Sequence, residues 1–409
     1  MRPDAGLRGP TLPDRINRLV GLLIWATGVA VGILLASTTL RSVANLAAWV
    51  VAVAIADLIR VSSPSGGRIS LIGGAGLVGV VLIESVPALA AVLLLGLTLS
   101  RLLAVLSSER THSGEVLRTL AGLAVLVLVE VMDQSLTDQL NWDNEWEQLG
   151  IILLAGLAWF VADAAVRMLG AFGVGRASIR YVWLMALEDW PIMVSLFASA
   201  GLFGLAQPVI GWWAVPVAAV PYAISHVSFT LLAGTRRTYG QMIRALSRLP
   251  EVAGLSPEGH AAGTAMLAGT MARGMGMRPE EVTNLEYAAL LHDIGRITVE
   301  DPSDESDGSD LARWGAEIIR QAPYLAAVAD HVEHHDAPYR RPGEADDSTV
   351  GIEARIIKVA GAYDRAHRVH DLAPVEALEV LHRRTAYDFD PAVVARLRAV
   401  LRRSGRLSA

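Results

Sequence analysis

Residues 209–252 read VIGWWAVPVAAVPYAISHVSFTLLAGTRRTYGQMIRALSRLPEV, and the character of the chain changes inside this stretch. Up to Ala233 it is an apolar run, long enough for a bilayer-spanning helix, which needs about 20 residues. From Gly234 it becomes basic and amphipathic, with Arg236, Arg237, Arg244 and Arg248 set among Tyr239, Met242, Ile243 and Leu246. This second part reads as a helix that leaves the last span and joins it to a domain of another kind. The expected organisation is a transmembrane domain at 1–233, a linker helix at 234–252 and a soluble domain at 253–409.

Toward the N-terminus the apolar runs repeat. They centre on 19–37, 43–59, 70–84, 86–106, 117–133, 149–166, 182–206 and 209–233. Eight spans are expected, with seven as the main alternative, because the third and fifth runs are short. Ser85-Val86-Pro87 is the only punctuation between the third and fourth, so that pair reads as a tight hairpin. The whole composition agrees: 53% of residues are hydrophobic and only 19% charged, where a soluble domain carries about 25% charge, and the mean hydropathy is +0.41.

Arginine placement sets the orientation. With eight spans, Arg2, Arg8, Arg15, Arg18, Arg60, Arg68, Arg101, Arg110, Arg167, Arg176, Arg180, Arg236 and Arg237 fall on one side, and Arg41 alone on the other. The longest opposite loop, 134–148 (QSLTDQLNWDNEWEQ), is acidic. The expected location is therefore the cell membrane, multi-pass, with both termini cytoplasmic and no cleaved signal peptide. Glu84, Glu130, Glu188, Asp189 and His226 are ionisable residues within or beside spans, and read as interfacial charges or packing contacts. Asp57 and Asp163 fall near cytoplasmic ends, where a charge reaches water.

The net charge of −6 and the absence of a basic stripe exclude a duplex nucleic-acid binder. The chain has no cysteine, so thiolate catalysis, disulfides and iron–sulfur clusters are excluded, and any metal must be held by His, Asp or Glu. Lys358 is the only lysine, an arginine bias that points to a high-GC, most simply bacterial, genome.

Beyond the linker, helical periodicity marks 260–276, 279–293, 311–322, 324–335, 350–370, 374–386 and 391–403. The acidic stretch 301–310 and the Pro- and Asp-containing stretch 336–349 read as loops. The expected fold class is all-α throughout: a polytopic transmembrane helical domain followed by a cytoplasmic all-helical domain. His292 and Asp293 end one helix, His260 opens an earlier one, His331, His334 and His335 close a later one, and Asp364 lies on a further helix. Imidazole and carboxylate side chains spread over several helices suit a divalent transition-metal site. Such an ion lowers the pKa of a bound water and polarises a phosphoryl oxygen, which is hydrolytic chemistry.

The stretches EGH ending at His260, AALLHDIGR ending at Arg296, GAEII ending at Ile319, the pair His334-His335 and RIIKVAGAYD ending at Asp364 occur in an order and spacing that resemble a known family. It is the HD superfamily of metal-dependent phosphohydrolases, in its HD-GYP-like branch, and the resemblance covers about residues 240–400. It implies metal ligands at His260, His292, Asp293, His334 and His335, a phosphate contact at Arg296, and catalytic roles for Asp293 and Arg296. It also implies a phosphodiester substrate, with a cyclic dinucleotide first. His331 stands one turn before His335 and matches no family position. The pattern is departed from at three places. Leu311 and Ala312 replace a His-Pro pair, Gly361 stands at the last metal-binding Asp, and Asp336–Gly343 replaces the Gly-Tyr-Pro signature. Asp364, one turn from Gly361, is the candidate substitute ligand. One tightly bound ion at most is expected, iron, manganese or similar. The expected partners are a phosphate-ester or cyclic-dinucleotide small molecule and the lipid bilayer, with a homodimer left open. Three functions compete: a membrane-anchored sensor with a working phosphohydrolase, a catalytically degenerate HD domain that binds a nucleotide or a partner protein, and, behind both, a transporter with a regulatory HD domain.

The topology is directly testable. Reporters fused before Arg2 and after Ala409 should both read cytoplasm, and one inserted within 134–148 should read the outside; a cytoplasmic signal from that loop would overturn the eight-span assignment.

Overall fold

The computed structural model describes residues 43–62, 68–83, 85–106, 113–140, 145–174, 177–299, 308–341, 343 and 349–407. The first apolar run, 19–37, lies outside the described residues, as does most of the acidic loop 301–310. The chain divides into two compact units, Met1–Gly170 with Ala186–Ala233, and Ala171–Met185 with Gly234–Ala409.

The first unit is built of helices Val43–Leu58, Ile72–Leu82, Val86–Leu106, Ser113–Leu140, Glu145–Val174 and Trp190–Ile210, with the first part of Ala214–Leu246. Among the described residues four stretches are long and apolar enough to cross a membrane: Val86–Ala104, Gly150–Gly170, Trp190–Gln207 and Ala214–Val252. Ile72–Leu82, with 11 residues, rises only about 16 Å at 1.5 Å per residue, well short of a bilayer core of about 30 Å. Leu77, Leu89, Leu93, Leu126, Trp159 and Ile192 fill the interior. Leu153, Leu157 and Val161 repeat every fourth residue along one helix and stand exposed, so that helix carries an outward apolar stripe.

Three local features differ from the sequence reading. The run 182–206 is not one helix: Ile179–Glu188 ends and Trp190–Ile210 begins around Asp189, where Pro191 occupies the first turn of the new helix, a position in which its missing N–H is not needed. The stretch 134–148 is largely helical, because Ser113–Leu140 and Glu145–Val174 extend beyond their apolar runs. Gln134 donates to Glu130 at 2.9 Å, one turn back, supporting the first of these extensions. Finally, Arg60–Ser62 pairs antiparallel with Arg68–Ser70, and strands this short carry no readable periodicity.

The second unit is all-α in its regular elements. Its helices include His260–Met275, Pro279–Leu291, Gly308–Arg320, Ala326–Glu333, Ile352–Val369, Pro374–Arg383 and Pro391–Arg403. Local chemistry sets several ends. Pro279, Pro374 and Pro391 open helices, Asp390 caps the last by accepting from Ala392 and Val393 N–H, and Gly276 stops the first in a left-handed conformation at φ 78°. Leu267, Met271, Leu285, Val328, Val332, Ile356 and Ile357 form the shared core.

Two glycines bring backbones close enough to build the site. A Cβ on Gly263 would stand 2.2 Å from Asp364 Oδ1, so only glycine lets that carboxylate pass the helix that His260 opens. A Cβ on Gly295 would meet the Leu311 carbonyl oxygen at 2.0 Å and the Gly315 nitrogen at 2.8 Å. Backbone cannot step aside as a side-chain tip can, so Gly295→Ala should destabilise the second unit by about 1–3 kcal/mol, the usual range for overpacking. A thermal unfolding scan of the full chain would show it, and wild-type stability in the variant would contradict this packing.

Candidate metal centre

Helix Pro279–Leu291 ends where His292 takes the C-cap position, and the chain turns through a 3₁₀ segment at Ile294–Thr298. The turn leaves His292 and Asp293 buried at the end of the helix. His260, fully buried, enters from the first turn of its own helix. His260, His292 and Asp293 each offer one ligand atom, and the three atoms lie within 4.8 Å of one another. His260 Nε2 is 3.8 Å from Asp293 Oδ2, and His292 Nε2 is 3.6 Å from Asp293 Oδ1. Donors held 2.0–2.2 Å from one ion stand about 3–4 Å apart, so the cluster already has near-coordinating dimensions.

Each imidazole is oriented through its other nitrogen. His260 Nδ1 lies 2.9 Å from Asp364 Oδ2, His292 Nδ1 2.9 Å from the Ala289 carbonyl, and His335 Nδ1 2.6 Å from the Val332 carbonyl. An acceptor on Nδ1 puts the proton there and leaves the Nε2 lone pair for a metal. His260 Nε2 and His292 Nε2 are buried and have no hydrogen-bond partner among the described residues. Unsatisfied buried polar atoms call for a specific reason, and a metal ion supplies one. The His335 ring meets His292 edge-on at 5.3 Å, and His260 meets His292 at 5.1 Å.

Electrostatics favour the ligand states. Burial pushes His292 down from the ordinary imidazole range, and burial with help from His292 brings His335 down to about 4. Burial works against ionisation of Asp293, but the neighbouring His292, Arg296 and Arg365 outweigh it and hold the carboxyl well below the usual carboxylate range. Neutral imidazoles beside an ionised carboxylate form a donor set suited to a divalent transition ion.

The structure separates two of the expected ligands from this cluster. His334 is exposed, with Nδ1 on the Asp330 carbonyl at 2.9 Å, because it stands just past the end of Ala326–Glu333, with its ring turned back along that helix. Asp364 lies behind His260: its Oδ2 takes Nδ1 of that ring and the Nε of Arg368 at 2.8 Å. It therefore holds the His260 ring from behind and stands outside the cluster of His260, His292 and Asp293. Arg296 donates through Nε to Asp293 Oδ1 at 2.7 Å.

Two further polar side chains at the cluster, Ser256 and Thr264, are not singled out by the motif. Ser256 donates to Asp293 Oδ2 at 2.7 Å. Thr264, one turn after His260, buries a hydroxyl that has no partner among the described residues. Spacing four residues either side of His260 is the one signal that singles them out. A Cβ built on Gly361 would lie 3.7 Å from both His292 Nε2 and Thr264 Cγ2, in ordinary contact, so that position faces the cluster and accepts a Cβ without a clash.

Residues 258–366 match the family model for the HD domain. This span contains His260, the His292-Asp293 doublet, His335 and Asp364. A comparison with curated proteins returns no match. The chain thus carries an HD domain, which points to a metal-dependent phosphohydrolase, and its His/Asp cluster is consistent with binding a divalent metal.

Substitutions should rank by position. His260→Ala, His292→Ala and Asp293→Ala should each abolish bound metal. Asp364→Asn should weaken metal affinity by about 10–100-fold, the range for partners that orient a ligating His, and His334→Ala should leave it unchanged. Metal analysis of the purified full chain measures all five, and equal losses in His334→Ala and His292→Ala would refute the ranking.

Proposed function

We propose that this protein is a membrane-anchored sensor whose HD domain hydrolyses a phosphodiester, with a cyclic dinucleotide as the first substrate to test. The reading rests above all on the buried, unpartnered Nε2 atoms of His260 and His292 beside Asp293. A divalent transition ion held there, iron or manganese by the donor set, would supply Lewis acidity and an activated water. The chain's own residues do the rest. Asp364 and the Ala289 carbonyl keep the two imidazoles in the ligating tautomer. Arg296 spends Nε on Asp293, which leaves its terminal nitrogens for a phosphate oxygen. One cluster of three ligands, with His335 beside it, supports at most one tightly bound ion.

The membrane part of the reading is a multi-pass domain of eight spans with both termini cytoplasmic. The multi-pass part is supported by the four candidate spans and the exposed apolar stripe, and the orientation by the arginine asymmetry; the 11-residue helix Ile72–Leu82 favours the seven-span alternative over eight. The bilayer is then the first partner, and duplex nucleic acid is not one.

A second reading, a degenerate HD domain that binds a nucleotide or a partner, is favoured by two observations. Gly361 offers no carboxylate at a position that faces the cluster. Asp293 also gives a lone pair of each oxygen to Ser256 and Arg296, leaving fewer for a metal.

Metal analysis and hydrolysis assays separate the two. A working enzyme purifies with up to one ion per chain and cleaves one member of a panel of cyclic dinucleotides and phosphomonoesters; a metal-free, inactive chain establishes the second reading. Gly361→Asp should tighten metal binding by about tenfold or more, as an added ligand or ligand partner does, because a Cβ at this position meets His292 Nε2 and Thr264 without a clash. Unchanged affinity would remove Gly361 from the site.

A further inference from the structure

The membrane unit has a second cluster of charge, unrelated to the HD site. Arg60, Arg101, Arg118 and Arg167 line one cavity of about 50 Å³, together with the carboxylates of Glu115 and Asp163. This space is enough for a few waters or one small oxyanion, since a single water needs about 10–15 Å³ on the same measure. The arginines come from different segments: the short hairpin, the end of Val86–Leu106, the start of Ser113–Leu140 and the end of Glu145–Val174. Three of these segments carry the arginines that the sequence assigns to a single membrane side.

The partners of these charges can be followed atom by atom. Asp57, fully buried, accepts from Ser100 Oγ at 2.6 Å and pairs with Arg101 Nη2 at 3.1 Å. Arg167 donates Nε to Asp163 at 2.6 Å and reaches Asp189 with Nη1 at 2.7 Å. Arg118 meets Asp163 only at 3.9 Å. Arg101 is the exception: its side chain is 11% exposed, and its Nε and Nη1 are buried with no hydrogen-bond partner among the described residues. Buried guanidinium donors without an acceptor are costly. Asp57 and Asp189, which pair with Arg101 and Arg167, are not among the lining residues, and the wall itself presents four arginines and two carboxylates.

We infer that this cavity binds a phosphate oxyanion, with Arg101 and Arg118 as its principal donors. Guanidinium groups present several charge-assisted donors in a plane that match phosphate oxygens, and arginine is the usual residue where such recognition is needed. Phosphate reaches such a cavity either as a free anion or as the phosphomonoester headgroup of a lipid.

The test uses the full chain in nanodiscs of zwitterionic lipid. Thermal unfolding is followed while inorganic phosphate replaces chloride at constant ionic strength, and again in discs containing phosphatidic acid. Wild type should be stabilised saturably by one or both. Arg118→Gln breaks only the 3.9 Å contact, and Arg101→Lys keeps a charge opposite Asp57 while losing the planar donors. Both should unfold like wild type in chloride and bind phosphate at least about tenfold more weakly, the loss of charge-assisted bonds. If Arg101→Lys fails to fold, Arg118→Gln carries the test alone. A response to inorganic phosphate identifies the free anion, and one confined to phosphatidic acid identifies the headgroup. No saturable response to either, or an undiminished response in the variants, overturns the inference. Metal content of the HD site is independent of every arm.

Discussion

A buried carboxylate governs the second unit. Asp293 is 7% exposed and sits where several segments meet, and an ionised carboxylate in that position must be satisfied from all of them together. Ser256 comes from the turn before the first histidine's helix, Arg296 from the 3₁₀ segment, Arg365 from the helix that carries Asp364, and the two histidines from their own helix ends. The same contacts that make the charge tolerable hold His260, His292 and Asp293 in one cluster. Stability and chemistry are therefore not separate features of this domain.

The histidines show the same economy. Each gives Nδ1 to a fixed acceptor, a carbonyl for His292 and His335 and a carboxylate for His260. This fixes ring orientation and tautomer before any ligand arrives. Preorganisation of this kind depends on close backbone approach, and that is where Gly263 and Gly295 enter. A methyl group at either position would push apart the segments whose side chains must meet.

The first unit solves a related problem differently. Asp57, Asp163 and Asp189 are buried there: Asp57 is matched by Ser100 and Arg101 from another helix, Asp189 by Arg167 of Glu145–Val174, and Asp163 by Arg167 one turn along its own helix, with Arg118 of Ser113–Leu140 at 3.9 Å. Charges placed at helix ends are ordinarily left to water, as the sequence reading assumed for Asp57 and Asp163. Here they cross-link helices instead, and Arg101 keeps donors to spare. Removing one partner of such a pair strands the other, which costs about 3–5 kcal/mol, so the pairs also constrain how the helices pack.

Much of this was legible in the amino-acid order because it depends on local rules. Helical periodicity, proline at helix starts and glycine at a helix end mark the helices of the second unit to within a few residues, and apolar runs mark the candidate spans. The His292-Asp293 doublet and His260 stand out because their spacing is itself the motif. What tertiary structure decided is whatever depends on side-chain direction between distant segments. One helical turn separates Gly361 from Asp364, and sequence spacing does not say which of them faces a histidine's Nε2 and which its Nδ1. The fold points position 361 at His292 and puts Asp364 behind His260. His334 and His335 are neighbours in sequence, yet a helix end turns only the second toward His292. The arginine cavity left no pattern, and Ser256 and Thr264 only their four-residue spacing from His260, since their roles arise only when segments dozens of residues apart share a buried space. In such a space an unsatisfied charge or hydroxyl, costly away from water, must find its partner across the fold.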